Sequence, residues 1–176
     1  FKRLAVNGFV LVSGTKMSKS LGNVIRPLEL EALYGRETLR FYLLKEISYG
    51  MDSTFTVEGF IQSVNAHLAN GIGNLVSRVL TLCQKGYTGE RALQLQPRDQ
   101  EALAQRAVAL RAWDEGFREF KYQNALKAWG DLVTQTDLYV NEMKPWALAK
   151  DPSQAERLET VLGVCLLMIR AAAAIV

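Results

Sequence analysis

The spacing of hydrophobic positions divides the chain into a mixed N-terminal third and a helical remainder. From residue 57 onward, apolar side chains recur every three or four positions, which is the period of a helix with one buried face. This pattern predicts helices over residues 57–86, 98–120 and 122–143, and a last helix that starts at a capping-box sequence at 153–156. The C-terminal two-thirds is therefore predicted to be a helix bundle.

The start of the chain shows a shorter, alternating pattern. The dipeptide Asn7-Gly8 lies between apolar residues 5–6 and 9–12. Asn-Gly tolerates the positive φ angles that a tight hairpin turn requires. We therefore predict a β-hairpin that turns at Asn7-Gly8.

Proline and glycine mark the boundaries of the segments that follow. Pro27 starts a predicted helix at its first turn, and Gly35 ends that helix. A second helix is predicted from residue 36 to about residue 47, followed by a turn at 48–52 and a short β-prone stretch at 53–56. The first third is thus predicted to be a small α/β segment.

The long helix predicted at 57–86 has an unusual polar face. Several polar side chains fall within about 40° of Asn74 on a helical projection; they are Ser63, His67, Asn70, Arg78, Thr81 and Lys85. A merely solvated face usually carries Lys and Glu, whereas amides and arginine offer planar hydrogen-bonding groups. A solvated bundle face and a recognition surface both remain open. Asn65 falls in the apolar face, and we expect a buried amide there that bonds neighbouring backbone.

Composition narrows the class of protein. The chain has 176 residues, of which 49% are hydrophobic and 22% are charged, and this excludes a disordered tail. A net charge of +3 permits a nucleic-acid partner without requiring one. Cys83, Cys165 and His67 are the only cysteines and histidine, and their spacing fits no zinc site, so we expect no metal site and two buried thiols.

The longest apolar run and the two chain ends show whether a membrane span and a complete protein are expected. Residues 162–176 are fewer than the ~20 that a membrane span needs, and the run includes Arg170. We expect a soluble, cytoplasmic protein without a membrane partner. The chain begins with Phe1, and its last helical pattern stops without a capping signal, so we expect a fragment of a longer protein.

A polar loop holds two lysines three residues apart. The run Lys16-Met17-Ser18-Lys19-Ser20 follows the predicted hairpin and precedes the helix at Pro27. Such a loop can bring two ammonium groups onto one polyanion. The five residues resemble, without a departure, the KMSKS signature of class I aminoacyl-tRNA synthetases. The alternative is a solvent-exposed lysine turn.

Further segments resemble one family of that class in chain order. Residues 39–44 and 49–52 are similar to the stem-contact segment of methionyl-tRNA synthetases. Residues 65–78 are similar to the start of that family's anticodon-binding bundle, and 141–146 to its tryptophan motif. This order favours the methionyl family over the leucyl, valyl, isoleucyl and cysteinyl synthetases.

The resemblance implies a fold and a domain division. It implies a mainly α protein with an anticodon-binding helix bundle at 57–176. A small α/β stem-contact segment would occupy 24–56, and the end of a nucleotide-binding catalytic domain, with the hairpin and the KMSKS loop, would occupy 1–23.

The resemblance also assigns roles to the loop. Lys16 and Lys19 would be catalytic, because they would neutralise the charge that moves onto pyrophosphate when methionine attacks ATP. Met17 would help seat the loop against ATP, and Ser18 and Ser20 would offer hydroxyls. ATP would be accompanied by Mg²⁺ in the parent enzyme. The upstream half that binds adenine and methionine is missing, so we expect the fragment to be inactive alone.

A second set of roles concerns RNA. The resemblance assigns Asn74 and Arg78 to hydrogen bonds with unstacked bases of the tRNA(Met) anticodon stem-loop, and Trp146 to stacking beneath a base. The alternative for Trp146 is a core tryptophan like Trp113 or Trp129. At the level of the whole chain, the alternatives are a free-standing tRNA-binding helical module and a plain structural bundle.

Overall fold

The computed structural model describes residue 4 and residues 6–175. Three short strands belong to one sheet: β1 (Val10–Val12), β2 (Thr15–Lys16) and β3 (Ser53–Phe55). The described residues also form eight α-helices, which in chain order are α1 (Pro27–Tyr34), α2 (Arg36–Glu46), α3 (Val57–Val64), α4 (Asn74–Gly86), α5 (Pro97–Arg118), α6 (Tyr122–Met143), α7 (Pro145–Leu148) and α8 (Ala155–Ala174). The described chain is mainly helical, as the hydrophobic pattern predicts.

The hairpin exists, but it turns at a different place from the one predicted. β1 pairs antiparallel with β2, and the turn lies at Ser13 and Gly14, whose φ angles are 50° and 76°. Gly8 instead packs closely against the backbone of another segment of the same chain. A Cβ atom at Gly8 would fall 2.1 Å from the carbonyl carbon of Met51. The glycine is required by this close backbone approach and not by a turn. Residue 5, part of the predicted hairpin, lies outside the described residues.

β1 has a second neighbour that the sequence pattern did not predict. It pairs in parallel with β3, in the register Val10 with Ser53 and Val12 with Phe55. The helices α1 and α2 form the crossover between these parallel strands. A small apolar core beneath the sheet includes the buried side chains of Leu39, Tyr42, Phe55 and Phe60.

The boundaries that proline and glycine predict in this region are confirmed. Pro27 is the first residue of α1, and Gly35 ends that helix with a φ of 84°. Thr56 caps α3, since its side-chain oxygen accepts a hydrogen bond from the backbone N–H of Gly59 at 3.0 Å. The strand predicted near residue 53 is β3.

The predicted helix at 57–86 is continuous but not uniformly α-helical. Between α3 and α4, the chain forms a π-helix over Asn65–Gly73, which we call the π segment. A π turn contains more residues than an α turn, so it shifts which residues face the core. Asn65 is exposed rather than buried, and Ser63 is buried rather than exposed. The projection that placed Asn65 in the apolar face was therefore wrong for this part of the helix.

The bundle core lies between α4, α5, α6 and α8. Its largest fully buried side chains include Trp129, Leu132, Tyr139 and Met168. The last helix begins at Ala155 without a side-chain cap, so the capping box predicted at 153–156 is wrong. The carboxylate of Asp151 instead accepts from the backbone N–H of Ser153 and caps a 3₁₀ turn at Pro152–Gln154.

Three further observations concern the two cysteines, membrane-spanning helices and metal ligands. Cys165 is buried and Cys83 is half-buried, and both are free. Within residues 4 and 6–175, no helix has the length and apolar character to cross a membrane. In the same part of the chain, no group of three or more His, Cys, Asp or Glu residues is placed to hold a metal ion.

Candidate functional site

The lysine loop begins in β2 and continues through a short 3₁₀ turn at Lys19–Leu21. The side chains of Lys16 and Lys19 are both exposed. The ammonium group of Lys16 lies 4.5 Å from the ring centroid of Phe9, within the range of a cation–π contact. The loop therefore presents one lysine held over an aromatic ring and one lysine on a tight turn.

Asn23 braces the backbone of this loop with both ends of its side-chain amide. Its Oδ1 accepts from the backbone N–H of Ser18 at 2.8 Å, and its Nδ2 donates to the carbonyl of Lys16 at 3.2 Å. The hydroxyls of Ser18 and Ser20 hydrogen-bond each other at 2.7 Å. Gly22 closes the turn in the left-handed region, with a φ of 65°. Asn23 was not predicted as a site residue, since its partners are set by the folded loop.

Met17 faces the interior of the small α/β segment. It lines an apolar cavity of about 170 Å³ together with Ile25, Leu30, Leu43 and Phe55. The methionine thus anchors the middle of the loop, while the lysines on either side remain exposed. From residue 12 to residue 26 the chain has no carboxylate, so the loop offers cations and hydroxyls rather than the carboxylate ligands through which proteins bind Mg²⁺.

The second candidate site lies on α4 and α6. Asn74 is exposed at the first residue of α4, and Arg78 follows one turn later. The guanidinium of Arg78 donates to Asp137 and, at 3.1 Å, to the side-chain oxygen of Asn141. Asn141 in turn donates to Asp137 at 2.8 Å. Arg78 is therefore held in place by α6 and is only half-exposed.

Neither acceptor of Arg78 was predicted from the sequence. Asp137 and Asn141 are four residues apart on α6 and so lie on one face of that helix. This spacing is a usable signal for an acceptor pair. Which cation it faces depends on how α4 packs against α6, and the chain pattern alone does not contain that information.

Trp146 lies at a sharp corner after α6. Lys144 adopts the left-handed region with a φ of 47°, and Pro145 then starts the short helix α7. Pro145 is buried, whereas the side chain of Trp146 is 39% exposed. Trp129 is 1% exposed and its indole N–H donates to the carbonyl of Ala172 at 3.1 Å. Trp146 is therefore a surface residue, unlike the core tryptophan Trp129.

A buried ionic cluster lies behind this corner, and the sequence pattern did not predict it. Asp99 has no exposed surface, and its carboxylate accepts from the Tyr139 hydroxyl at 2.6 Å. Arg157 donates to both oxygens of the same carboxylate, at 2.5 and 2.9 Å. We call these three residues the Asp99 clamp. The clamp joins the first turn of α5, the last turns of α6 and the first turn of α8.

The clamp sets the charge state of its members. Burial alone would raise the pKa of Asp99, but the hydrogen bonds from Arg157, Tyr139 and the Gln96 backbone outweigh it and lower that pKa below its ordinary value. Burial and the adjacent carboxylate raise the pKa of Tyr139. At neutral pH the clamp is therefore an ionised carboxylate held by a guanidinium and a neutral phenol.

Comparison with known proteins shows that this chain is similar to one family of proteins. A family model described as tRNA synthetases class I (M) matches residues 1–80. Methionine–tRNA ligase 1 of Bacillus cereus is 36% identical over 165 residues, which are 92% of this chain and 25% of that protein. The methionine–tRNA ligase of Clostridium acetobutylicum is 38% identical over 163 residues, again 92% of this chain and 25% of that protein.

A solved structure agrees with these relatives. The structure of Mycobacterium tuberculosis methionyl-tRNA synthetase in complex with methionyl-adenylate matches with a TM-score of 0.89 and 29% identity. The match covers 96% of this chain and 34% of that chain. The chain thus spans about a quarter of the length of the curated relatives that it matches.

Proposed function

We propose, from the similarity of this chain to methionine–tRNA ligases over 92% of its length, that it supplies two parts of such a ligase. The first part is the loop that stabilises the phosphates of ATP, and the second is the set of helices that reads the anticodon of tRNA(Met). The observation that carries the proposal is the presence of both surfaces in one chain. Two exposed lysines flank an anchored methionine, and an exposed amide, a fixed guanidinium and an exposed indole lie on the bundle.

The proposed chemistry of the lysine loop follows from where charge develops. When the carboxylate of methionine attacks the α-phosphate of ATP, negative charge increases on the departing pyrophosphate. Lys16 and Lys19 would stabilise that charge most strongly in the transition state, so they would accelerate the step rather than only bind ATP. Ser18 and Ser20 would add hydroxyl donors. Anchoring by Met17 would limit how far the loop moves.

Anticodon reading would use single-stranded bases. Proteins recognise such bases by stacking them on aromatic rings and by hydrogen bonding along their exposed edges. Arg78 keeps further N–H donors after its bonds to Asp137 and Asn141, because a guanidinium has five. Asn74, one helical turn before Arg78, would hydrogen-bond to a base edge, and the Trp146 ring would stack on a base. The free-standing tRNA-binding module shares this surface but gives no purpose to the paired lysines.

The experiment compares RNA hairpins bound by this chain. We expect a hairpin with the anticodon CAU to bind more tightly than one with the same stem and a permuted anticodon, as measured by fluorescence anisotropy. Trp146→Ala should weaken binding of the CAU hairpin by about 1–3 kcal/mol, the contribution of one base-stacking platform.

Val108 provides a matched control, because it is another exposed apolar side chain, 57% exposed on α5. Val108→Ala should leave the affinity unchanged. Equal binding of the CAU and permuted hairpins by the unmodified chain would contradict anticodon recognition. A preference for the CAU hairpin in a complete protein that forms no methionyl-adenylate would instead favour the free-standing module without catalysis.

A further inference from the structure

The last turn of α6 is held from two sides by charged residues of other helices. On one side, Arg157 of α8 donates to the sulfur of Met143 at 3.2 Å while it grips Asp99. On the other side, the Arg98 guanidinium of α5 lies 5.7 Å from the ring centroid of Tyr139 and donates to Glu142 at 2.8 Å. The residues just before the corner at Lys144 therefore have little freedom.

The corner itself requires such support. Lys144 adopts a left-handed backbone conformation that residues other than glycine take up only when their surroundings impose it. Two backbone hydrogen bonds connect the corner to α7. The carbonyl of Lys144 accepts them from the N–H groups of Ala147 at 2.8 Å and Leu148 at 3.3 Å. The direction of Trp146 depends on this corner, because α7 contains only four residues.

We propose that the Asp99 clamp positions Trp146 for base stacking. The clamp then affects the affinity for RNA through Trp146, without contacting the RNA itself. This inference rests on the proposed anticodon recognition. Asp99 and Tyr139 are both fully buried, so neither reaches RNA. The clamp acts by holding the end of α6 against the start of α8, which fixes the left-handed corner and the indole that follows it.

The test removes the hydroxyl of Tyr139 and measures whether its effect on hairpin affinity depends on Trp146. Tyr139→Phe keeps the ring in the core but deletes the hydrogen bond to Asp99. We expect it to weaken binding of the CAU hairpin by about fivefold or more, and we expect this loss to disappear when Trp146 is already alanine. Tyr42→Phe is the matched control, because Tyr42 is a buried tyrosine in the separate small core, and it should leave the affinity unchanged.

A readout without RNA separates this inference from the proposed function. With 5-fluorotryptophan incorporated, the ¹⁹F resonance of Trp146, assigned through Trp146→Ala, should shift or broaden in Tyr139→Phe. The resonance of Trp113 should stay in place, and Tyr42→Phe should move neither. A Trp146 resonance that does not respond would overturn the proposal, whatever the hairpins do. If the unmodified chain does not prefer CAU, the proposed function fails, and the resonance alone decides whether the clamp positions the indole.

Two further results complete the test. An affinity loss from Tyr139→Phe that persists fully in the Trp146→Ala background would show that the clamp does not act through the indole, and would overturn the proposal. If Tyr139→Phe fails to fold, Arg157→Lys takes its place, since it keeps the positive charge but loses the two hydrogen bonds that the guanidinium donates to Asp99. The same resonance shift and the same loss of affinity are expected from it.

Discussion

At the scale of single residues, Glu159 shows how a buried charge secures a loop. Its side chain is 1% exposed, and the carboxylate accepts from the backbone N–H and hydroxyl of Thr88 and, at 2.6 Å, from the N–H of Gly89. Burial alone would raise the pKa of Glu159, but these hydrogen bonds outweigh burial, and the pKa is lowered. The loop between α4 and α5 is thereby attached to α8.

This lowered pKa has a defined effect on stability. A carboxyl group that titrates lower in the folded state stabilises the fold above its unfolded pKa, and the contribution is lost as pH falls through the folded pKa. We expect Glu159→Gln to cost about 1–3 kcal/mol of unfolding free energy at pH 7, since it breaks a buried hydrogen-bonded group. The cost should shrink as pH falls below about 4, where the unfolded carboxyl becomes protonated.

Urea unfolding at a series of pH values measures this. Glu90→Gln is the matched control, because Glu90 is exposed in the same loop and should show a small effect at every pH. A cost for Glu159→Gln that is the same at pH 7 and in acid would contradict the account of the pKa.

The polar face of the long helix predicted the exposure of Asn74, whereas the exposure of Trp146 was an expectation from the family resemblance. Asn74 and Trp146 are exposed, as their proposed roles require. The partners of Arg78 and the Asp99 clamp were not predictable from local spacing, because they join residues that are 40 to 63 positions apart in the chain. Local spacing reports neighbours within one helix and says nothing of which helices meet.

At the scale of elements, the π segment explains why the long helix changes its buried face. At the end of the segment, the backbone N–H of Asn74 donates to the carbonyl of Ala69, five residues earlier. A Cβ atom at Gly73 would lie only 2.9 Å from the carbonyl oxygen of Leu68. Glycine therefore permits the wide turn that immediately precedes Asn74.

Two glycines on helices are expected to respond in opposite ways to alanine. Gly73→Ala should lower the unfolding free energy, because the added methyl collides with backbone in the π segment. A methyl group added at Gly130 on α6 would meet no atom of another described residue within 4 Å, beyond its chain neighbours and its own helix backbone. Gly130→Ala should therefore stabilise the fold by about 0.5–1 kcal/mol through helix propensity.

Denaturant unfolding of both variants checks this pair. A stabilising Gly73→Ala, similar in size to Gly130→Ala, would show that the segment accepts ordinary α-helical geometry. The element boundaries at Pro27, Gly35, Tyr122 and Met143 were predictable, because proline, glycine and regular periodicity mark them. The π segment and the pairing of β1 with β3 were not, since a constant 100° period assumes an α-helix and short strands contain too few residues to specify a partner.

At the scale of the whole molecule, the described chain has two apolar cores, and each core lies beneath a different candidate site. The small core lies under the sheet and α1, next to the lysine loop. The larger core lies within the helix bundle, behind Arg78 and Trp146. The mainly helical class was predictable because most residues lie in long periodic segments, whereas the arrangement of the two cores depends on contacts between distant segments.

The central claim is the proposed division of function between these two surfaces, and paired variants in the ligase of which we propose this chain is a part test it most directly. The measurements are methionine-dependent pyrophosphate exchange and the KM for tRNA in aminoacylation. Lys19→Ala should slow pyrophosphate exchange by at least about 100-fold, the cost of removing one preorganised charge-stabilising group, and leave the KM for tRNA within twofold. Trp146→Ala should raise the KM for tRNA by about tenfold and leave pyrophosphate exchange unchanged. Pyrophosphate exchange that is unchanged in Lys19→Ala, or equally impaired in both variants, would contradict the account.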